Sequence, residues 1–191
     1  MLNFLLVFTL IISSCFFGSI TDFSEKDIVG KQNSVINSGF EDGDYQYNIM
    51  PGNWKVLDEP NEYAFWDNTD FFNGEKSLKI EHPSSKISII SEAFEIDPEA
   101  VYYSRCFIKT NYQSNHSITF RFLAFNAKGK RVDKFSVKNY PKTDWTQVEL
   151  TSGFFNRNAK FGRIIISFPK RPDKIFWVDD VESYNVYKIQ K

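Results

Sequence analysis

From residue 101 to 110 the chain reads Val-Tyr-Tyr-Ser-Arg-Cys-Phe-Ile-Lys-Thr, and side chains of different character alternate along it with a period of two. A period of two is the signature of a β-strand, because successive Cβ atoms point to opposite faces of a sheet. The same alternation recurs along the chain, while no window longer than one turn keeps a 3.6-residue apolar period. Strands are therefore expected at 35–36, 54–57, 62–67, 77–82, 86–94, 101–110, 117–126, 134–137, 146–151, 162–168 and 175–187. Breakers with clear turn chemistry separate them: Met50-Pro51-Gly52, Phe72-Asn73-Gly74, Asp97-Pro98-Glu99, Ala127-Lys128-Gly129 and Tyr140-Pro141. An aromatic content of 17%, with 20 Phe and 9 Tyr, suits pleated, half-buried surfaces. No fixed-period repeat is present, so solenoids and propellers are disfavoured. The pattern predicts an all-β chain folded as a two-sheet β-sandwich, or jelly roll.

The ends of the chain have a different character. Met1 to Gly18 is apolar apart from Asn3 and a few hydroxyls, and no charged side chain precedes Asp22. The break at Ser13-Ser14 leaves a core close to the length of a signal h-region and short of a membrane span. Ile12-Ser13-Ser14-Cys15 resembles a bacterial lipobox, which makes Cys15 the expected lipidation site, although the absence of Lys and Arg from the n-region leaves an ordinary secretory signal open. The expected organisation is a lipoprotein-type signal peptide at 1–15, a tether at 16–32 and one sandwich at 33–191. This places the protein outside the cytoplasm, in contact with a membrane only through its lipid. About 160 folded residues bury enough surface to permit a monomer. With 23 Lys and Arg against 24 Asp and Glu and no basic cluster, nucleic acid is not an expected partner. Cys15 and Cys106 are the two cysteines, and Cys106, in phase with Ile108, is expected to be a small buried hydrophobe.

Near the start of the predicted domain stands Val35-Ile36-Asn37-Ser38-Gly39-Phe40-Glu41-Asp42-Gly43, then Pro51-Gly52-Asn53-Trp54. Asn73-Gly74-Glu75-Lys76-Ser77-Leu78-Lys79-Ile80, Tyr102-Tyr103-Ser104 and Asp144-Trp145-Thr146 follow, and Phe176-Trp177-Val178-Asp179-Asp180-Val181-Glu182 closes the series. In order and spacing these segments resemble the carbohydrate-binding modules of families four, nine, sixteen and twenty-two, which have a galactose-binding-like jelly roll. The resemblance implies that the first and last strands meet and share a structural calcium. It implies side-chain ligands from Glu41 and Asp179, and carbonyl ligands from Gly39 and Lys76. An all-oxygen set suits calcium, although Glu41 and Asp179 could equally be turn carboxylates accepting N–H bonds.

The resemblance further implies non-catalytic binding of an oligo- or polysaccharide. Aromatic rings would lie against pyranose faces, and polar side chains would bond the hydroxyls at the ring edge. Alternation turns Tyr103, Arg105, Phe107 and Lys109 away from the core, and likewise Thr119, Arg121, Leu123 and Phe125, so that Arg105 and Arg121 are expected to share one surface. Trp66, with Tyr63 beside it, is the expected stacking platform, whereas Trp54, Trp145 and Trp177 are expected to pack structurally. The alternative is a surface adhesion protein of the same fold, or an accessory subunit of a glycoside hydrolase. The acids cluster at loop and terminal positions with no glycosidase pair set across a cleft, and no nucleophile elbow, phosphate loop or metal-spaced His/Cys set is present. The chain is expected not to be an enzyme.

Overall fold

A computed structural model describes residues 23–43, 50–57, 61–113 and 115–188. Its strands are β1 (Trp54–Val56), β2 (Ala64–Asp67), β3 (Ser77–Glu81), β4 (Ile87–Ser91), β5 (Phe94–Glu95), β6 (Ala100–Thr110), β7 (Ile118–Asn126), β8 (Arg131–Asn139), β9 (Thr146–Thr151), β10 (Ala159–Phe168) and β11 (Ile175–Lys188). They form two sheets. Sheet A runs β1-β4-β10-β7-β8, with β5 also on β10, and sheet B runs β2-β3-β11-β6-β9. Every pairing is antiparallel. The chain is a two-sheet β-sandwich.

The core is filled by the alternation visible in the sequence. Tyr102, Cys106 and Ile108 of sheet B face Phe120, Phe122 and Ala124 of sheet A, and all are buried in one cluster. The Phe122 ring lies 5.6 Å from Phe94, 5.7 Å from Tyr102 and 5.2 Å from Phe155, in edge-on or tilted geometry. Cys106 is fully buried, and desolvation pushes its thiol pKa up, as its strand position predicts.

Four expected elements differ. Val35 and Ile36 are not in a strand; the segment instead lies beside β11 through Ser34 N–H to the Ser183 carbonyl (2.8 Å) and Val181 N–H to the Ser38 carbonyl (2.9 Å). Residues Asn61–Tyr63 form a 3₁₀ turn before β2. The run 86–94 is two strands, β4 and β5, broken at Glu92 and Ala93. Within the segment expected to be a tether, α1 (Glu25–Ile28) forms behind a Ser24/Asp27 capping box and pairs Glu25 with Arg105 of β6 at 2.9 Å. The signal region with Cys15 lies outside the described residues. Replacing Phe122 with Ala removes the ring on which three others converge, and should cost about 3–5 kcal/mol, read as an earlier midpoint in urea denaturation.

Candidate functional site

The corner where 37–42 meets 179–181 is built by backbone demands. Asn37, Phe40 and Asp180 all have positive φ, 50°, 58° and 43°, a conformation uncommon for side-chain-bearing residues and an outlier for one as bulky as Phe40. Such strain persists only where the surroundings fix it. Asn37 does part of that fixing: its amide donates to the carbonyls of Asp42 (2.8 Å) and Gly52 (2.7 Å), its own side-chain oxygen accepts Asp42 N–H, and its carbonyl accepts the Trp54 indole. Phe40 is fully buried, its ring 5.0 Å from that of Trp54.

Two carboxylates then tie this corner to the loop between β2 and β3. Oδ2 of Asp179 accepts the N–H groups of Phe72 (2.9 Å) and Asn73 (3.1 Å), and Oε1 of Glu41 accepts those of Glu75 (2.9 Å) and Lys76 (3.1 Å). Lys76 Nζ donates to the Glu41 carbonyl. Gly74, at φ 72°, is required here, since a Cβ would lie 2.1 Å from Glu41 Oε1. Gly39, Glu41, Lys76 and Asp179 thus lie at one corner, with Asp180 Oδ1 beside Gly39. The carboxylates of Glu41 and Asp179 serve as turn acceptors. Among the described residues no group of three or more His, Cys, Asp or Glu side chains is arranged to hold a metal. Burial, the largest influence, pushes the Asp179 carboxyl up to about 7 despite its N–H donors. Asp180 is raised as well, by burial and then by Glu182.

The loop so held lies against the outer face of sheet B. Phe72 stacks on Phe107 of β6 with centroids 3.7 Å apart and planes at 11°, and meets Trp145 edge-on at 6.0 Å. Asp70 takes the ammonium of Lys109 on both carboxylate oxygens (2.9 and 2.7 Å). Beside this wall runs a row perpendicular to the strands. Phe65 of β2 is opposite Lys79 of β3, Lys79 opposite Trp177 of β11, and Trp177 opposite Lys109 of β6. Beyond Lys109 lies Trp145, immediately before β9. Aromatic rings and lysines alternate: Lys79 Nζ is 5.8 Å from the Phe65 ring, and Lys109 Nζ is 5.7 Å from Trp177 and 6.0 Å from Trp145. All three rings are half-buried on the outer face. Neighbouring rings are two strands apart, about 10 Å. The Trp177 indole donates to Asp67 at 2.7 Å. Burial opposes the charge of Asp67, but bonds from Thr69 and Trp177 outweigh it and hold its carboxyl below the usual value.

The expected binding residues are placed differently. Arg105 is on β6 of sheet B and Arg121 on β7 of sheet A, so they lie on opposite outer faces and share no surface. Arg105 is held between Glu182 and Glu25. Tyr103 does point away from the core, yet it is fully buried, its hydroxyl accepting from Gln147 at 3.2 Å. Trp66 is half-buried against Gly43, donates to the Phe40 carbonyl and lies 4.6 Å beneath Lys76 Nζ. Its setting is the corner, not the open row. Tyr63 bonds the Ser84 hydroxyl. Trp54 packs in the core as expected, whereas Trp145 and Trp177, read as structural, form the row. Their signal was available: Phe176 and Val178 face inward, so Trp177 faces outward, and Trp145 is out of phase with Val148 and Leu150.

No family model and no curated protein sequence matches the chain. Solved structures do. An arabinose-bound GH51 α-L-arabinofuranosidase superposes with a TM-score of 0.59 at 13% identity over 80% of this chain, which spans 26% of that enzyme. A family 16 carbohydrate-binding module aligns at 0.58 and 13% identity, covering 79% of this chain and 99% of the module. A family 61 module in complex with β-1,4-galactotriose aligns at 0.55 and 14%, covering 81% and 99%. What the chain shares with these structures is the fold, a two-sheet β-sandwich of jelly-roll type.

The buried Asp179 carboxyl makes a pH prediction for protein in chelator. Its folded pKa, about 7, lies above its ordinary value of 3.8, so its stabilising contribution is full below 3.8 and is lost as pH rises toward 7. Melting temperatures measured across that window should fall with rising pH more steeply for the natural protein than for Asp179→Asn; parallel curves would contradict the assignment.

Proposed function

We propose that this protein is a non-catalytic carbohydrate-binding protein, and that its glycan lies across the strands of sheet B on the row Phe65–Trp177–Trp145. The row itself carries the proposal. Rings laid along a sheet offer apolar faces for pyranose C–H surfaces, and Asp70, Lys79 and Lys109 stand between or beside them to bond hydroxyls. Lys109 is neutralised by Asp70, and Lys79 lies 3.3 Å from Glu81, so the strip favours hydroxyl-rich ligands over strongly charged ones. The jelly-roll neighbours include modules whose occupants are sugars, which supports the same class of ligand. Export with lipid attachment at Cys15 completes the proposal: an anchored binder needs only modest affinity, because tethering raises its effective concentration at a surface.

Calcium at the 39–41/179 corner is a second part of the proposal. The donors are oxygens only, as a hard cation requires. The carboxylates of Glu41 and Asp179 would hold it together with the carbonyls of Gly39 and Lys76, so neutral backbone oxygens would supply much of its shell. When bound, calcium would compensate the buried negative charge of Asp179 and its neighbour Asp180.

Titration against a glycan array should give binding that is lost, by about tenfold or more, in Trp177→Ala and Trp145→Ala, since losing one stacking ring removes on the order of 1–3 kcal/mol of contact. Trp66→Ala should instead lower the melting temperature while leaving the affinity of folded protein nearly unchanged. Absence of any bound glycan would overturn the function, and full affinity in both row variants would overturn the site. For the metal, adding calcium to chelated protein should raise the melting temperature of the natural protein and not that of Asp179→Asn; identical natural curves with and without calcium would refute it.

A further inference from the structure

The outer face of sheet A departs from what an antiparallel sheet facing water requires, which is a polar surface. Ile90, Leu123 and Ile165 point away from the core and form a separate buried cluster with Phe125 packed on it. Across the strands Ile165 is opposite Ile90, and Phe161 is opposite Phe125. Leu57, Ile90, Phe125, Phe161 and Ile165, with Arg163, line an open groove of about 470 Å³, and Leu57 and Phe161 are 38% and 37% exposed at it.

Charge is divided across this face: carboxylates Glu92 and Glu95 stand at the β4/β5 edge, Glu95 exposed and opposite Phe161, while the β7/β8 side is cationic. Arg121 is opposite Ile165, Lys134 opposite Leu123, Arg131 opposite Phe125 and Lys138 opposite Thr119. None of these four forms an ion pair with a described carboxylate; Arg121 donates to the Ser167 hydroxyl at 2.6 Å, and burial alone lowers its pKa. Glu92 at the opposite rim is already engaged by Lys55 and Arg163. The centre is a recess, not a projection. A lipid surface is entered by protruding apolar side chains, whereas a recess receives a ridge. The lining has too few polar groups to orient a sugar.

We propose that this face docks a partner protein through a ridge of apolar side chains bordered on one side by carboxylates, the apolar side chains filling the groove and the acids pairing with Arg121, Lys134 and their neighbours on the β7/β8 side. The interface is independent of the aromatic row, which lies on the opposite sheet, so one molecule can hold both ligands. Unpaired cations at such a rim act chiefly on encounter and orientation, while the groove supplies the apolar burial.

Selection of a phage-displayed random peptide library on the full-length protein tests this, followed by affinities of the enriched peptides for three proteins. These are the natural protein, Arg121→Gln with Lys134→Glu, and Leu57→Ser with Phe161→Ser, each checked by thermal melt for a retained fold. The expected result is enrichment of apolar residues flanked by Asp or Glu, with binding weakened about tenfold or more in each double variant and reduced by added salt in the natural protein. No enrichment would overturn the proposal. So would peptides without acids, binding unchanged in either folded double variant, or association of the same residues with phosphatidylglycerol vesicles in place of peptide.

Discussion

The hydrogen bonds from the loop between β2 and β3 to two carboxylates organise this molecule. Asp179 and Glu41 come from opposite ends of the domain, and each accepts two backbone N–H groups of one loop. Without those acceptors, four donors in a partly buried turn would need other partners, at a cost of about 1–3 kcal/mol for each left unmade. The loop carries Phe72 and Asp70. Phe72 stacks on Phe107 and braces Trp145, and Asp70 fixes Lys109 between the two tryptophans. The aromatic row is therefore held partly from a distance, by the corner that also closes the sandwich.

That dependence gives the strained backbone a role. Asn37, Phe40 and Asp180 occupy conformations that side-chain-bearing residues seldom take, and between Asp179 and Glu182 the register of β11 with β6 shifts. A bulge at this point turns Asp179 toward the loop while Val181 returns to the core. The strain and the acceptors are parts of one device.

Much of the fold was legible because alternation is a local property. The inward set Tyr102, Cys106, Ile108 and the inward set Ile118, Phe120, Phe122, Ala124 followed from period two alone, and both are buried in the core. The corner was legible only through the resemblance that its motif carries. The site was not, because a cross-strand row depends on register among strands that are far apart in sequence. Nothing local says that Phe65, Trp177 and Trp145 lie in line, or that Phe72 reaches Phe107. Arg105 and Arg121 looked alike in their strands and differ in the sheet that each strand joined. Tyr103 faced outward as its phase required, and only tertiary covering removed it from solvent. The apolar cluster on sheet A was likewise invisible, since Leu123 and Phe125 alternate with core residues as ordinary outward positions do.

The position of Cys106 gives this sandwich a built-in clock. Its strand is hydrogen-bonded on both sides, to β11 and to β9, and its sulfur faces the packed interior with its thiolate form suppressed by burial. A reagent cannot reach that sulfur by loosening a surface loop. It must wait until sheet B parts from sheet A or its edge strand β9 comes away from β6, so the rate at which Cys106 is modified counts openings that reach the core. Whatever binds at the corner, the row or the groove will slow that clock only to the extent that it holds the two sheets and that edge strand together.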